Sequence, residues 1–289
     1  MAPFDLGRAF IRAAVTVGAA LPFVLLSSLP GAAAGTAWIA KTDTIRIMAL
    51  GDSITAGVGA HGADVGGGGY RGELESLLDS AGYRYEMIGS RSDYSNGVHA
   101  PAHEGWPGYV VRSLPSDPGH ELLGPVTANA VDAYDPDVIL LMAGTNDLLR
   151  LERHSAGYTV DGIVGGMDAL LGQIFFDKPR VHVILAGVVA SPDISECTVE
   201  RFDGVSTPEC PPDGSESLVT LVQKYRALGF DIVLAPRMDA AVPRDRDHFP
   251  DGIHPSGDGG YAAVARVWMS AIASQTQPPE SGNVAVAKP

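Results

Sequence analysis

DVILLMAGTND, residues 137–147, opens with an unbroken apolar run, Val138 through Met142, and closes on a polar tetrapeptide that begins with a glycine. The run is too short for a typical core helix and reads as a strand buried on both faces, as in a parallel sheet covered by helices. Working outward, segments of strand and helix character alternate. Upstream lie a strand over 44–50, ended by Gly51 and Asp52, and a helix over 70–81 with Leu74, Leu77 and Leu78 on one face. A strand over 83–88 follows, then a polar loop with Asn96, His99 and His103, and a helix over 120–134 stopped by Pro136. Downstream the pattern predicts a helix over 160–176, a strand over 180–189, a helix over 216–228, a strand over 230–235 and a helix over 261–272. Such alternation predicts an α/β fold, a three-layer α/β/α sandwich with a mainly parallel central sheet. Folds of that kind place their sites at the carboxyl ends of the strands.

Composition sets outer bounds. A hydrophobic share of 45% against 19% charged residues describes an ordinary globular chain. Twenty Lys plus Arg against thirty-four Asp plus Glu give a formal charge of −14, which repels phosphate backbones and disfavours a nucleic-acid partner. Arg8 and Arg12, the apolar stretch 13–29 and the small residues 31–35 form the order of an export signal, with cleavage expected near 34–38. An uncleaved anchor is the alternative. The apolar stretch is broken by Pro22, Ser27 and Ser28, and it lies at or below the roughly 17 to 25 residues that a spanning helix needs. The expected organisation is a signal peptide and mature start over 1–37, a catalytic domain over 38–274 and a flexible tail over 275–289. The mature protein is expected to be secreted, monomeric and free of stable membrane insertion.

Cys197 and Cys210 bound a segment rich in Pro, Asp, Ser and Gly. In an oxidising compartment they can close that loop as a disulfide; two unpaired thiols are the alternative.

Three words sit at expected strand exits or loops. Ser53 lies in GDSIT, 51–55, directly after the first strand, where a turn can expose a hydroxyl and aim backbone amides at a forming oxyanion. Asp52 and Ser53 could equally make turn or cap bonds. Asn146 lies in GTND, 144–147, and offers an amide donor that binds negative charge without ionising; closing an Asx turn is its plainer role. Asp251 and His254 lie in DGIHPS, 251–256. In a helical turn that spacing puts carboxylate and imidazole on one side, so Asp251 could hold His254 in the tautomer that leaves the other nitrogen free.

In order and separation, GDSIT, GTND and DGIHPS resemble the blocks of the SGNH hydrolase superfamily, the GDSL-like esterases and lipases, from about residue 45 to 272. The resemblance implies Ser53 as nucleophile, His254 as base, Asp251 as its carboxylate and Asn146 as an oxyanion donor. A second-block glycine amide completes the oxyanion hole with the Ser53 amide. In HEGWPG, 103–108, that glycine is assigned to Gly105, with Gly108 as the other choice. The wording of HEGWPG and DGIHP is similar to microbial carbohydrate esterases that deacetylate xylan, although Ser256 stands where that branch often has Asn.

The resemblance therefore implies a serine carboxylic ester hydrolase without cofactor or metal, acting on an acylated carbohydrate or another ester. Lipases and phospholipases belong to related branches. The glycine-dense loop 57–69, read as flexible, carries few large apolar residues and does not suggest a hydrophobic lid. A metal-dependent deacetylase drawing on Asp247, His248, Asp251 and His254 is a competing reading, as is a noncatalytic carbohydrate binder using Trp106 and Tyr109 as sugar platforms.

Overall fold

The computed structural model describes residue 39 and residues 43–276 apart from 117, 124 and 212–214. The expected leader and nearly all of the expected tail lie outside these residues. In chain order the elements are β1 (Thr44–Gly51), α1 (Ser53–Ala56), α2 (Tyr70–Ser80), β2 (Arg84–Ile88), β3 (Glu104–Gly105), α3 (Pro125–Tyr134) and β4 (Val138–Met142). Then follow α4 (Thr145–Glu152), α5 (Val160–Asp177), β5 (His182–Ala186), α6 (Glu196–Asp203), α7 (Leu218–Ala227), β6 (Ile232–Leu234) and α8 (Ala262–Ser274).

The strands pair in parallel in the order β2-β1-β4-β5-β6, with the short β3 continuing alongside the end of β1. Alternate residues feed two cores. Met48, Leu50, Ile139, Leu141, Val183 and Leu185 pack with Met167, Leu171 and Phe175 of α5 and with Leu221 and Tyr225 of α7. Ile47, Ala49, Val138, Leu140, Met142 and Ile184 pack with Leu74 and Leu78 of α2 and with Val264, Trp268 and Ile272 of α8. Burial on both faces is why the strands read as continuous apolar runs. Truncating one such residue to alanine costs about 2–5 kcal/mol.

The order of strands also locates the site. After β1 the chain moves outward to β2, then returns across β1 to build β4, β5 and β6 on the other side. β1 and β4 therefore flank a reversal of winding direction, and ligands of open α/β sheets bind at the carboxyl ends of such a pair.

Several expected boundaries shift. The helix expected from 120 begins at Pro125, because residues 120–122 instead pair with Val110, through Val110 N–H to His120 O (2.9 Å) and Leu122 N–H to Val110 O (2.9 Å). The segment between the cysteines is not all loop: α6 carries Cys197 and buries Val199 and Phe202. Cys197 and Cys210 are joined as a disulfide. Gln275 and Thr276, at the head of the expected tail, are held in place: Gln275 O accepts from Ile39 N–H (2.9 Å), and the Thr276 hydroxyl bonds Tyr83 Oη (2.5 Å). Among the described residues no helix is long and apolar enough to cross a membrane.

Candidate active site

β1 ends against two neighbours at once: Gly51 lies opposite Gly105 of β3 and opposite Met142 of β4. A Cβ on Gly51 would lie 2.0 Å from Met142 O and 2.4 Å from the Thr55 hydroxyl, so only glycine fits where the strand turns into α1. Asp52 caps that helix, its Oδ1 accepting from Ile54 N–H (3.0 Å), and Ser53 occupies the first helical position. The Ser53 N–H thus has no intrahelical acceptor and stays free to receive an anion.

The second half comes from the loop before α8. His254 Nε2 lies 3.0 Å from Ser53 Oγ, and His254 Nδ1 lies 2.8 Å from Asp251 Oδ2. A carboxylate accepts, so Nδ1 carries the proton and Nε2 presents a lone pair to the Ser53 hydroxyl. Both side chains are mostly shielded, with 15% of His254 and 10% of Asp251 exposed. The expected helical turn is absent. Asp251 closes an Asx turn instead, its Oδ1 accepting from Ile253 N–H (3.0 Å) and His254 N–H (2.8 Å). Partial burial on its own would raise this carboxyl; the His254 ring and amide and the Ile253 and His61 amides together hold it well below the usual carboxylate range.

GTND, read as a strand exit, begins α4. Asn146 Nδ2 donates to Tyr109 O (2.8 Å), which leaves its second N–H available, and the neighbouring Asp147 carboxylate accepts from Val111 N–H and Arg112 N–H, each at 3.0 Å. Burial pushes the Asp147 carboxyl up to about 7 against the opposing pull of those two amides. These bonds tie residues 109–112, just after HEGWPG, to the first turn of α4.

Gly105 requires a correction. Its N–H donates to His103 Nδ1 (3.0 Å), and a Cβ there would meet Ala56 N at 2.3 Å. The glycine is demanded by close packing under α1, and its amide is not available to a substrate. Gly108, three residues on, is exposed, and its N–H has no hydrogen-bond partner among the described residues.

Sequence reasoning assigned no role to two residues that hold this loop. His103 is fully buried; Nδ1 accepts from Gly105, so Nε2 carries the proton and donates to Asp93 O (2.9 Å). Burial, reinforced by the Arg71 charge, lowers its pKa to about 4 and keeps the ring neutral. Arg71, also fully buried, donates to Ala56 O, Pro101 O and the Ser95 hydroxyl, each at 3.0 Å, clasping the 93–101 loop to α1. Buried polar side chains of this kind carry no periodic signal.

Trp106 and Tyr109 form a packed rib, ring centroids 5.2 Å apart, with the Arg91 guanidinium 4.5 Å from the Trp106 centroid. His248, of the competing metal reading, directs Nδ1 to Asp245 (2.7 Å). Among the described residues no group of three or more His, Cys, Asp or Glu is placed to hold a metal ion.

A parallel sheet under two helical layers, with a serine at the exit of the first strand and an asparagine at the exit of its neighbour, defines the SGNH class of hydrolase folds. The chain belongs to the GDSL-like Lipase/Acylhydrolase family, whose pattern matches residues 49–262. It is 28% identical over 278 residues to a multidomain esterase of Ruminococcus flavefaciens, covering 92% of this chain but only 32% of that protein. Among solved structures it is similar to a Clostridium thermocellum family 3 carbohydrate esterase, at 25% identity and TM-score 0.57, over 81% of this chain and 100% of that one. A family 3 carbohydrate esterase from Talaromyces cellulolyticus shares the fold, at 21% identity and TM-score 0.57, over 80% of this chain and 97% of that one.

Proposed function

We propose that the chain is a secreted serine esterase that hydrolyses carboxylic esters through an acyl-enzyme and removes O-acetyl groups from a carbohydrate such as xylan. The observation that carries the chemistry is the continuous Asp251–His254–Ser53 relay, with contacts of 2.8 and 3.0 Å. Ser53 Oγ attacks the ester carbonyl as His254 Nε2 takes its proton, while Asp251 stabilises the imidazolium. The amides of Ser53 and Gly108 and the second N–H of Asn146 receive the oxyanion, aimed at charge that exists only once the carbonyl becomes tetrahedral. His254 then protonates the leaving alcohol, and water cleaves the acyl-enzyme by the reverse route.

Likeness to a family 3 carbohydrate esterase supports the deacetylase reading, and likeness to a multidomain esterase supports ester hydrolysis. The signal-like order of residues 1–35 and the disulfide, a bond that persists in oxidising compartments, support export. The decisive measurement is an acyl panel from acetate to palmitate, run beside acetylated xylan, with the parent protein and S53A. Turnover of acetate esters and acetylated xylan is expected, lost in S53A. A steep preference for long chains would replace the carbohydrate with a lipid substrate, and full activity in S53A would remove Ser53 as nucleophile.

A further inference from the structure

The glycine-dense loop between α1 and α2, expected to be flexible, is tied into the site at its start and at its tip. Val58 N–H donates to Ser53 O (3.0 Å), Val58 O accepts from the hydroxyl of the buried Tyr261 (2.5 Å), and Gly59 N–H closes on Ala63 O (2.8 Å). At its tip the His61 N–H donates to Asp251 Oδ2 at 3.0 Å, across 190 residues of sequence. His61 holds φ 58° and ψ 27°, a left-handed conformation that residues with a Cβ rarely adopt. In a loop with glycines at many positions, a non-glycine kept in that region marks a place where surrounding contacts override local preference.

The bonds to Asp251 divide by oxygen. Oδ1 is held by two amides of its own turn, Ile253 and His254. Oδ2 faces the His254 ring, and besides that ring its donor is His61. Without His61, the oxygen that must aim at Nδ1 has no fixed donor, only a ring that itself changes charge during turnover.

We propose that His61 is a positioning residue: its backbone N–H fixes the carboxylate plane of Asp251 toward His254, and the loop 57–69 thereby couples the nucleophile's turn to the acid's turn. The inference rests on the reading of Ser53, His254 and Asp251 as the reacting set. Because the donor is backbone, replacing the imidazole should matter little and removing the N–H should matter much.

The test compares kcat and KM on p-nitrophenyl acetate for the parent, H61N, H61P, D251N, H61P/D251N and S53A, each checked for folding by circular dichroism. H61P is expected to lower kcat about 10-fold, the scale of one hydrogen bond to a charged group, with KM within about twofold. H61N, which keeps the N–H and tolerates the left-handed conformation, should recover kcat to within about threefold of the parent. In the D251N background H61P should cost less than about twofold, because the partner it acts through is already altered. If H61P fails to fold, because the proline ring cannot hold φ 58°, replacing His61 by its α-hydroxy acid turns the 60–61 peptide bond into an ester, removes the same N–H alone and should give the same pattern. An unchanged kcat in the folded donor-less variant, or an equal loss with and without D251N, would overturn the role of His61. Absence of hydrolysis by the parent, or activity retained in S53A, would instead overturn the underlying esterase reading.

Discussion

Two Asp-x-x-His turns lie six residues apart in this chain, and only one of them has a serine in front of it. In the first, Asp245 Oδ1 accepts from the His248 amide (2.9 Å), the Asp247 amide (3.1 Å) and His248 Nδ1 (2.7 Å). In the second, Asp251 makes the same local bonds to Ile253 and His254 but spreads them over both oxygens and adds the distant His61 amide. Asp245 and His248 are 50% and 33% exposed, against 10% and 15% for Asp251 and His254. Each aspartate is held below the usual carboxylate range, Asp245 chiefly by the His248 ring; for Asp251 burial opposes that shift, and the His254 ring leads the bonds that overcome it. An oriented imidazole is therefore cheap local structure that any Asx turn can supply. What distinguishes the second pair is the topology, which sets the end of β1 before its free nitrogen.

The sharpest way to break this comparison is to truncate the two imidazoles in parallel. H254A is expected to lower kcat on a small acetate ester by about 10⁴-fold or more, as loss of a triad member does elsewhere, whereas H248A should stay within about twofold. Comparable losses in both would mean that the exposed pair takes part and that the assignment by Ser53 contact is wrong. The next largest effect tests what the sheet adds beyond the imidazole. N146A removes an amide donor at the exit of β4 and should cost about 10² to 10³ in kcat, roughly 2.7–4 kcal/mol of transition-state stabilisation. KM should change little, because that donor is aimed at charge absent from the bound ester. A change confined to KM would place Asn146 in ground-state binding, as the anchor of Tyr109 O alone.

The same contrast explains what was legible in the sequence. The apolar run 138–142 and its neighbours announce a doubly covered parallel sheet because burial on both faces leaves no polar alternation, and β1, β4, α5 and α8 lie close to where periodicity puts them. Ser53, Asn146, Asp251 and His254, each carried by a recognisable word, could be put forward from the sequence as the candidate set, and Ser53, His254 and Asp251 lie in contact. Elements that carry too few residues for a period were not legible: α1 has four residues and β3 has two. α4 hides behind the turn-like letters of GTND, and α6 sits inside a segment whose composition reads as loop. The Gly105 assignment failed for a related reason. Two glycines three apart look alike on paper, and only packing tells which is buried beneath a helix and which exposes its amide. His61 meets Asp251 across 190 residues through its own backbone N–H, and His103 meets backbone groups of Gly105 and Asp93; the wording of the motifs assigns neither contact.

His103 offers the smallest and most discriminating test, because it is a third histidine close to an aspartate, Asp93, yet bonded to its carbonyl rather than oriented by its carboxylate. It is buried and neutral, with Arg71 and Arg91 opposing its protonation, burial being the larger cause, and with Asp93 partly offsetting them. A proton on Nδ1 would also abolish the bond from Gly105 N–H. Its pKa falls from 6.5 to about 4 on folding, so between those values the unfolded chain binds a proton that the folded chain refuses. Stability contributed by this group is thus complete above pH 6.5 and lost as pH falls toward 4, by at most about 3 kcal/mol. Urea unfolding of the parent between pH 7 and 5 should show that decline, and H103Q, less stable at pH 7, should show a shallower one. Should acid reduce ester hydrolysis in step with unfolding in the parent but not in H103Q, the loss belongs to the loop that His103 anchors. Equal pH slopes for the two proteins would return the acid sensitivity to other groups, and would mean that a fully buried imidazole beside Arg71 is protonated as readily as a free one.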